Sequence, residues 1–490
     1  MKEVGGILGN SMKLEYKFLS LGLIFGLLIV FLIPPLQAAD EDSHFKKAFL
    51  VASFHLFPEI NDEGQVGNYI PQAIVDFENK QKYLMGNIDA KYAYKSQYID
   101  SHIQVNKGSD VFIEYSTSRS NPILFLPQAI GMLVMKLTID NPIFNLNNNI
   151  SPINYLYLGR IFNLLFYLIA CFFSIKWIPF LKNTLFLICL MPMTFSLSAS
   201  LSYDGVIIGT IFLFISLMFK VCYDINVTKI NKNYLFSFIF FSIIIIQFKQ
   251  IYFPLFLLFL LIPYSKFNSK KEKYVWFSII IASGCFSYLI WSILSNLMLG
   301  VGSISTDNNS TEQIKFILGA PFEYIHILVR SVVSNSEFYF ISFVGNLGWL
   351  DTNFPYVFTI LYFIFLIFTS ILDNSGKEIK IDIKSKVFIT LVALSIIALL
   401  ETALYIIWTS KNDIGGVGYP YISGVQGRYF IPISIICFAV FKMGLIKHKG
   451  LKPLGIYNMI DFIVPRVTVF SLVLTIIIIL LRYWIPFVQI

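Results

Sequence analysis

The sequence predicts an all-α, polytopic integral membrane protein with about eleven transmembrane helices. Hydrophobic residues make up 56% of the chain and charged residues only 13%, and the mean hydropathy is +0.70. Soluble domains carry about 25% charged residues, so this composition excludes a soluble fold. Several apolar runs reach the roughly 20 residues that a helix needs to cross the hydrocarbon core. We therefore expect residues 1–490 to form a single membrane domain without a separate soluble domain.

The net charge of +8 indicates membrane topology and not a nucleic-acid partner. The lysines lie in short loops between apolar runs, as in membrane proteins that keep their basic loops in the cytoplasm. The cysteines all fall inside apolar segments, at Cys171, Cys189, Cys222, Cys285 and Cys437. This placement indicates neither a disulfide framework nor a zinc site.

The first predicted span covers residues 18–36 and follows a short basic segment that contains Lys2, Lys13 and Lys17. A cleaved signal peptide is the alternative, because Leu36-Gln37-Ala38-Ala39 resembles a small-residue cleavage site. The apolar run is long for a signal peptide, and the rest of the chain is polytopic. We therefore expect helix 1 to begin in the cytoplasm and to cross the cell membrane.

Residues 37–154 follow as a long first external loop with juxtamembrane helices. The loop opens with an amphipathic helix over 41–54, in which apolar residues recur at helical spacing. Its segment 122–139 is apolar but is interrupted by Pro127 and Gly131. If this segment spanned the bilayer, the lysine-rich loops that follow would all lie outside, against the positive-inside rule. We therefore expect it to lie at the membrane surface.

The later apolar runs supply the remaining spans, at 155–175, 183–200, 203–223, 233–248, 250–265, 275–297, 354–373, 386–408, 428–446 and 466–488. With helix 1, this arrangement starts in the cytoplasm and ends outside. It makes 298–353 a second large external loop and 409–427 a further one. The topology rests on the lysines of the loops, independently of the charges at the ends of the spans.

Charged residues at or inside membrane spans are costly and usually functional. Those that the topology places at the external ends of spans are Arg160, Asp204, Lys249 and Arg428. Asp40 and Glu41 reach the same face just after helix 1, whereas Glu401 lies within a span. Each residue has an ordinary explanation, because acids cap helix N-termini and interfacial cations extend towards water. Their convergence on one face nevertheless favours a functional site.

Carboxylates and cations together at the outer membrane surface suit a lipid-linked phosphate substrate. Guanidinium and ammonium groups hold phosphate, and a nearby carboxylate can take the proton of an attacking hydroxyl. Glycosyl transfer from a polyprenyl phosphate releases a leaving group that is already anionic. It therefore needs one base and charge stabilisation, in contrast to the acid and base pair of a glycosidase.

The chain also resembles the bacterial membrane family known as domain of unknown function 2142 (DUF2142). The motifs that carry the resemblance occur in order from about residue 18 to 446, namely Pro34-Pro35…Asp40-Glu41-x-x-His44-Phe45-x-x-Ala48, Leu158-Gly159-Arg160-x-x-Asn163, Met191-Pro192 before Ser202-x-Asp204, Lys249-x-x-Tyr252-x-Pro254, Gly348-Trp349-Leu350-Asp351 and Gln426-Gly427-Arg428-Tyr429-Phe430-x-Pro432. No single motif is decisive, and their common order makes the set specific. Many members of that family have Pro before the Asp-Glu pair, where this chain has Ala39.

That family in turn resembles the GT-C class of membrane glycosyltransferases, in which an acidic motif of the first external loop carries the catalytic carboxylate. The resemblance implies that Asp40 or Glu41 is the base or a metal-binding acid and that Asp204 is a second catalytic acid. It also implies a set of substrate-binding residues, which comprises His44, Arg160, Lys249, Trp349, Asp351, Gln426, Arg428 and Tyr429. A second acidic pair, Asp62-Glu63, lies in the same loop and is an alternative to Asp40-Glu41.

The sequence thus predicts a GT-C-like glycosyltransferase of the cell membrane with an external active site. It would move a sugar from a polyprenyl-phosphate donor to a cell-envelope glycan, lipid or protein acceptor. The alternatives are a transporter or flippase of lipid-linked glycans, a glycan polymerase or ligase, and a non-catalytic accessory protein. Adjacent acids would suit Mg²⁺ or Mn²⁺, but the chain has few further ligands, and a metal-free mechanism is equally consistent with it.

Overall fold

The computed structural model describes residues 12–105, 109–139, 151–299, 308–373, 379–442 and 453–486, and these are mainly helical. The helices are α1 (Leu14–Leu32), α2 (Glu41–Ala52), α3 (Gln72–Gln81), α4 (Tyr94–Asp100), α5 (Leu126–Ile139), α6 (Pro152–Trp177), α7 (Lys182–Cys189), α8 (Pro192–Ser198), α9 (Asp204–Tyr223), α10 (Lys232–Phe248), α11 (Lys270–Leu299), α12 (Asn308–Gly319), α13 (Pro321–Ser334), α14 (Ser336–Val344), α15 (Tyr356–Leu372), α16 (Ile383–Leu404), α17 (Ser434–Ala439) and α18 (Pro453–Tyr483). The strands are β1 (Glu59–Ile60), β2 (Val66–Pro71), β3 (Asp110–Ile113), β4 (Asn346–Leu347) and β5 (Thr352–Asn353).

Within the described ranges, six helical segments are long and apolar enough to cross a membrane. They are Leu14–Leu32, Pro152–Trp177, Asp204–Tyr223, Lys270–Leu299, Ile383–Thr409 and Met459–Tyr483. This finding confirms a polytopic helical membrane protein. The count of about eleven spans stays a prediction, because the other expected spans correspond to shorter helices.

Prolines explain several of the shorter helices. The predicted span 250–265 is a 3₁₀ helix over Gln250–Leu261 that contains Pro254, and the span 428–446 begins as a 3₁₀ helix over Gly427–Ile433 that contains Pro432. The predicted span 183–200 is broken into α7 and α8 before Pro192. Proline lacks the N–H that a regular α-helix needs at these positions. Residues 443–446 and 487–488 of the predicted spans lie outside the described residues.

Helix α9 forms the centre of the bundle. It is apolar on all sides and buried along most of its length, as expected for a helix that is surrounded by other helices. Its neighbours include α6, α8, α10 and the 3₁₀ helix at Gly427–Ile433. The N-terminus of α9 is Asp204, so the bundle core leads directly to one of the predicted site residues.

The first loop is a folded layer on the end of the bundle. Strands β1, β2 and β3 follow α2 in the chain and form an antiparallel sheet in that order. The ammonium group of Lys47 in α2 is buried and donates to the backbone oxygens of Leu56 and Ser118. Burial lowers the pKa of Lys47 to about 8. These contacts fix α2 against the rest of the loop.

The segment expected at the membrane surface is a 3₁₀ turn over Pro122–Phe125 followed by α5. Helix α5 has 14 residues, which corresponds to about 21 Å, less than the roughly 30 Å of the hydrocarbon core. It packs against α6, where the backbone oxygen of Leu158 lies close to Gly131. The juxtamembrane position of this segment stays a prediction that its length supports. Residues 140–150 lie outside the described residues.

The second predicted external loop also contains regular structure. Helices α12 and α13 meet at a bend of 107°, and together they have the composition of a broken span or a re-entrant loop. Helix α14 follows, and β4 and β5 then form a short antiparallel hairpin. Residues 300–307 of this predicted loop lie outside the described residues.

Candidate functional site

The side chains of Asp40 and Glu41 point in different directions. Asp40 adopts the left-handed backbone conformation, with φ 58° and ψ 13°, and Glu41 begins α2 directly after it. Aspartate tolerates this conformation better than most residues. As a result, the side chain of Asp40 is 50% exposed, whereas that of Glu41 is completely buried.

Glu41 forms a bidentate ion pair with Arg160 inside the protein. Arg160 donates from Nε to Glu41 Oε1 at 2.8 Å and from Nη2 to Oε2 at 2.6 Å. The backbone N–H groups of Leu201 and Ala38 donate to the same two oxygens. The remaining guanidinium hydrogens go to backbone oxygens at the end of α1 and just beyond it, at Val30, Ile33 and Pro34.

These contacts leave neither partner free to bind a substrate. Both carboxylate oxygens and the whole guanidinium group are engaged, and both side chains are inaccessible to solvent. The pair joins the end of α1, the start of α2, α6 and the turn before α9. We therefore assign Glu41 and Arg160 to the framework of the site, in place of the catalytic and phosphate-binding roles that the sequence suggested.

Four other predicted residues meet at the surface of this framework, and we call Asp40, Asp204, Lys249 and Arg428 the charged cluster. Arg428 Nη2 donates to Asp40 Oδ2 at 2.7 Å, and Nη1 lies 3.8 Å from Asp204 Oδ2. Lys249 Nζ lies 4.0 Å from Asp204 Oδ1. The four residues come from the turn after α1, the start of α9, the end of α10 and the 3₁₀ helix at Gly427–Ile433.

The guanidinium group of Arg428 has unused hydrogen-bonding capacity. The residue is 3% exposed, and within the described part of the chain its Nε and Nη1 atoms have no hydrogen-bond partner. His44 is 2% exposed, and its Nδ1 atom likewise has no hydrogen-bond partner among the described residues. Leaving a buried donor unsatisfied costs about 1–3 kcal/mol, and more when the group is charged. Such groups are therefore suited to receive a ligand.

Aromatic rings surround the cluster. Lys249 Nζ lies 5.1 Å from the ring centre of Tyr203 and 5.0 Å from that of Tyr429. The His44 ring lies 4.3 Å from the Tyr203 ring, and Phe125 contacts both of them. Cations near ring faces are stabilised by the ring quadrupole. Tyr429 and His44 thus lie where the sequence predicted a site.

Sequence reasoning missed Tyr203 and Phe125. Tyr203 is the unspecified position of the Ser202-x-Asp204 motif, and Phe125 ends the 3₁₀ turn before α5. The chain has 27 tyrosines and 49 phenylalanines, so an aromatic residue beside a charged one carries little information in this sequence. The only available signal for Tyr203 was its position next to Asp204.

The charge states of the cluster follow from these contacts. Burial alone would raise the pKa of Asp40, but the Arg428 guanidinium holds it below its usual value, so the carboxylate is ionised. Burial lowers the pKa of His44 against the pull of the two cluster carboxylates, so the imidazole is neutral at pH 7. Burial would lower the pKa of Lys249 as well, but Tyr203 and a cluster carboxylate raise it, so the ammonium group stays charged.

The position of Asp204 is set by the turn that precedes it. Asn163 Nδ2 donates to the backbone oxygens of Ser200 at 2.7 Å and Ser202 at 3.0 Å. The hydroxyl of Ser202 in turn accepts from the N–H of Asp204. Since Asn163 lies one turn after Arg160 on α6, the same helix face carries the framework ion pair and holds this turn.

Three predicted substrate-binding residues lie outside the charged cluster, and one of them, Gln426, contacts an aromatic residue beside it. Trp349 Nε1 donates to the backbone oxygen of Leu36, and so it supports the turn before Asp40. Asp351 pairs with Arg482 at 2.7 Å and accepts from the N–H of Gly86. Gln426 lies two residues before Arg428, and its backbone oxygen accepts from the N–H of Tyr429.

The second acidic pair and Glu401 belong to other elements than the charged cluster. Asp62 and Glu63 lie in the exposed turn between β1 and β2, away from the end of α1. Glu401 is buried in α16, beside the hydroxyl group of Tyr339. These positions favour Asp40 over the second acidic pair as the reactive acid.

No arrangement for a metal ion is found among the described residues, in the sense of three or more His, Cys, Asp or Glu side chains close together. Asp40 and Asp204 each face Arg428, and Asp204 also faces Lys249. The space beside both carboxylates is therefore occupied by protein cations. The Mg²⁺ or Mn²⁺ ion considered from the sequence finds no support in this donor set.

The comparisons with known proteins agree with this architecture at the level of the family. The family model described as "Predicted membrane protein (DUF2142)" matches residues 23–437, the part of the chain that contains all four residues of the charged cluster. No curated protein and no solved structure matches the chain.

Proposed function

The chain belongs to the DUF2142 family of predicted membrane proteins, and on this premise we propose that it is a GT-C-like membrane glycosyltransferase. It transfers a sugar from a polyprenyl-phosphate donor to a cell-envelope glycan, lipid or protein acceptor on the external face of the cytoplasmic membrane. The proposal deepens the family assignment, whose description states only a membrane protein.

One observation carries the proposal. Among the described residues, two nitrogen atoms of the buried Arg428 guanidinium have no hydrogen-bond partner, and they lie beside a half-exposed carboxylate, Asp40, eight residues after the end of α1. Guanidinium groups bind phosphate through several parallel hydrogen bonds, and Lys249 adds a second positive charge nearby. A phosphate that is attached to a lipid tail lies at this depth, next to the end of a transmembrane helix. The neighbouring carboxylate then faces the incoming acceptor.

The reaction is a single displacement at the anomeric carbon of the donor. Asp40 accepts the proton of the acceptor hydroxyl, and the acceptor oxygen forms a bond to the anomeric carbon. The bond between this carbon and the phosphate oxygen breaks, and its electron pair leaves with the polyprenyl phosphate. Arg428 and Lys249 stabilise the charge that develops on this leaving group. The transferred sugar is therefore inverted at its anomeric centre.

The low pKa of Asp40 is compatible with this role. A carboxylate that pairs with Arg428 is a weak base in the free enzyme. The negative charge of a bound phosphate opposes the effect of the guanidinium and raises the pKa of Asp40. Donor binding thus strengthens the base before the acceptor is deprotonated. Asp204 holds Arg428 and Lys249 in place from the opposite side.

A transporter or flippase of lipid-linked glycans is the second candidate. The observation that favours it is Glu401, a fully buried carboxylate within the span Ile383–Thr409. Ionisable residues at this depth are characteristic of transport pathways. Glu401 is a single residue, whereas the charged cluster brings four residues together. The observations therefore support a surface enzyme more strongly than a transporter.

The test compares cells that lack this protein with cells that produce the Asp40→Asn, Lys249→Gln or Arg428→Gln variant. Surface glycans and lipid-linked sugars are both quantified by mass spectrometry. Loss of a general base lowers rates about 10²–10⁴-fold, so we expect Asp40→Asn to lose the glycan and to accumulate the unused donor. Asp62→Asn combined with Glu63→Gln is the matched control, because these acids lie in the same loop but outside the cluster.

Each other outcome contradicts part of the proposal. A wild-type glycan in all three cluster variants, at wild-type protein levels, rules out the site. Accumulation of the lipid-linked sugar on the cytoplasmic face alone, with Glu401→Gln as the inactive variant, identifies a flippase instead.

A further inference from the structure

A polar cavity lies beside the charged cluster. It has a volume of about 230 Å³ and is bounded by three elements, the segment Arg119–Leu124, the end of α10 with Gln250, and the outer part of α11. Its lining is rich in hydrogen-bonding groups, including Asn121, Gln247 and Gln250. The family description and the predicted site residues assign nothing to this cavity.

The cavity is lined by residues that adjoin members of the cluster and its aromatic surround in the chain. Lys249 lies between Phe248 and Gln250, which both line the cavity, while its ammonium group faces Asp204. Leu124 lines the cavity, and the next residue, Phe125, contacts the rings of His44 and Tyr203. The cavity and the cluster therefore lie on adjacent parts of the same elements.

Helix α11 presents a polar stripe to the cavity, although it is apolar enough to cross a membrane. The stripe consists of Tyr288, Trp291, Ser292, Ser295 and Asn296, which recur at helical spacing. The residues between them are apolar and exposed, namely Leu289, Ile290, Ile293 and Leu294. Polar residues in a membrane helix are costly, so a stripe that faces a cavity indicates a polar ligand.

One aromatic residue of the stripe is held by the first loop. Trp291 stacks on Phe57 of that loop, with ring centres 5.3 Å apart and planes at 15°. This contact fixes the indole as a wall of the cavity. Asn121 and Gln247 are likewise fixed, because Asn121 Nδ2 donates to Gln247 Oε1 at 2.9 Å and Gln247 donates to Ser287. The lining is thus preorganised.

We propose that this cavity binds a sugar ring of the substrate. Amide and hydroxyl side chains can donate to and accept from sugar hydroxyls, and an aromatic ring can pack against the apolar face of a sugar. The size of the cavity suits a single ring, and Arg119 at its edge can reach an acidic substituent. The binding of a sugar ring in this cavity does not depend on the proposed function. The assignment of that sugar to the donor or the acceptor of a transfer reaction does.

The test is saturation-transfer NMR with the purified full chain in lipid nanodiscs. The probes are methyl glycosides of glucose, galactose, mannose and N-acetylglucosamine, together with their 1-phosphates. We expect ring-proton signals with the wild type for at least one sugar, and a loss of at least about fivefold in a Ser292→Leu, Ser295→Leu double variant, which fills the cavity. Leucine is tolerated in membrane helices, so the fold is expected to persist.

Matched variants make the result specific. Ser278→Leu is the control for the double variant, because Ser278 lies on the exposed face of the same helix. Trp291→Phe is a second probe of the cavity that keeps the stacking on Phe57. Absence of signal for every probe with the wild type, or unchanged signals in both cavity variants, overturns the proposal.

The 1-phosphates decide which sugar occupies the cavity. Tighter binding than that of the methyl glycosides, lost in Arg428→Gln, identifies the transferred sugar of the donor. Equal binding of both probe types, unaffected by Arg428→Gln, identifies a sugar of the acceptor. The two proposals can fail separately. If the protein binds sugar but the cluster variants keep a wild-type surface glycan, the proposed glycosyltransferase activity is refuted and the proposed sugar site is retained.

Discussion

Asp40 and Glu41 are adjacent in the chain but have different environments and different chemistry. Asp40 is half-exposed and shares Arg428 with Asp204, whereas Glu41 is buried and saturated by Arg160 and backbone N–H groups. The left-handed conformation of Asp40 separates the two side chains. One acid is thus available to a substrate while the other fixes the backbone that carries it.

The two acids are expected to respond differently to neutralisation. In Glu41→Gln, the buried Arg160 loses its counter-ion, and removing one partner of a buried pair costs about 3–5 kcal/mol. We expect a large fall in melting temperature and in the yield of the detergent-solubilised protein, measured by fluorescence-detected size-exclusion chromatography after heating. Asp40→Asn affects a half-exposed carboxylate, and we expect it to melt close to the wild type.

A double replacement separates the charge effect from the loss of the side chain. Glu41→Leu with Arg160→Met removes both charges, and such apolar substitutions of buried pairs are often neutral or stabilising. Its melting temperature should exceed that of Glu41→Leu alone, in which the charge of Arg160 stays buried without a counter-ion. If Glu41→Gln melts like the wild type while Asp40→Asn does not fold, the two roles are reversed.

At the scale of elements, close backbone contacts hold the cluster together. Gly427 directly precedes Arg428, and its N–H donates to Ser342 Oγ of α14 at 2.8 Å. A Cβ atom at Gly427 would lie 1.9 Å from the backbone oxygen of Tyr339 and 2.4 Å from the N–H nitrogen of Phe343. The glycine is required by this contact between the 3₁₀ helix and α14.

Gly427→Ala therefore tests how strictly Arg428 is positioned. Both clashing atoms belong to the backbone, so the 3₁₀ helix must move away from α14, at a cost of about 1–3 kcal/mol or more. We expect a lower melting temperature in the size-exclusion assay after heating, and loss of the surface glycan by mass spectrometry. Gly319→Ala is the control, because no atom of the described residues lies within 4 Å of a Cβ there. Wild-type glycan in Gly427→Ala would contradict a fixed position of Arg428.

The sequence allowed some of these features to be predicted and not others. Lysine positions and apolar runs placed Asp40, Asp204, Lys249 and Arg428 on one face, and the structure brings these four together. The inward turn of Glu41 depends on the φ angle of Asp40, which local sequence does not determine. The break between α7 and α8 and the 3₁₀ helices depend on tertiary packing around prolines, so the apolar runs suggested uniform spans.

At the scale of the whole molecule, the charged cluster and the basic turns lie at opposite ends. Helix α9 begins at Asp204 and has 20 residues. Its length of about 30 Å matches the thickness of the hydrocarbon core. We therefore expect the turn after α9 to lie on the other side of the membrane. Lys266 donates to the backbone oxygens of Val221 and Cys222 there, and further lysines are close in sequence, at Lys229, Lys232, Lys270, Lys271 and Lys273.

This polarity gives a prediction for the orientation, on which a polyprenyl-phosphate donor depends. The positive-inside rule assigns the lysine-rich end to the cytoplasm and so the cluster to the outside. We expect single cysteines at Glu63 and Val417 to react with a membrane-impermeant maleimide in intact cells. A cysteine at Ile225, which is 75% exposed in the turn after α9, should react only after permeabilisation. Cys285 and Cys437 are first replaced by serine, since they are only partly buried.

The physical basis of the predicted orientation is the cost of moving charged loops across the lipid bilayer. Inversion of the chain would place the lysines of several loops outside and leave the cluster facing the cytoplasm. Labelling at Ile225 in intact cells, with protection at Glu63 and Val417, would establish that inversion. The cluster would then face water that contains nucleotide-activated sugars, and a donor from that pool would replace the lipid-linked one, whereas the bound phosphate and the role of Asp40 would stay the same. The orientation thus selects between two classes of donor for one arrangement of residues.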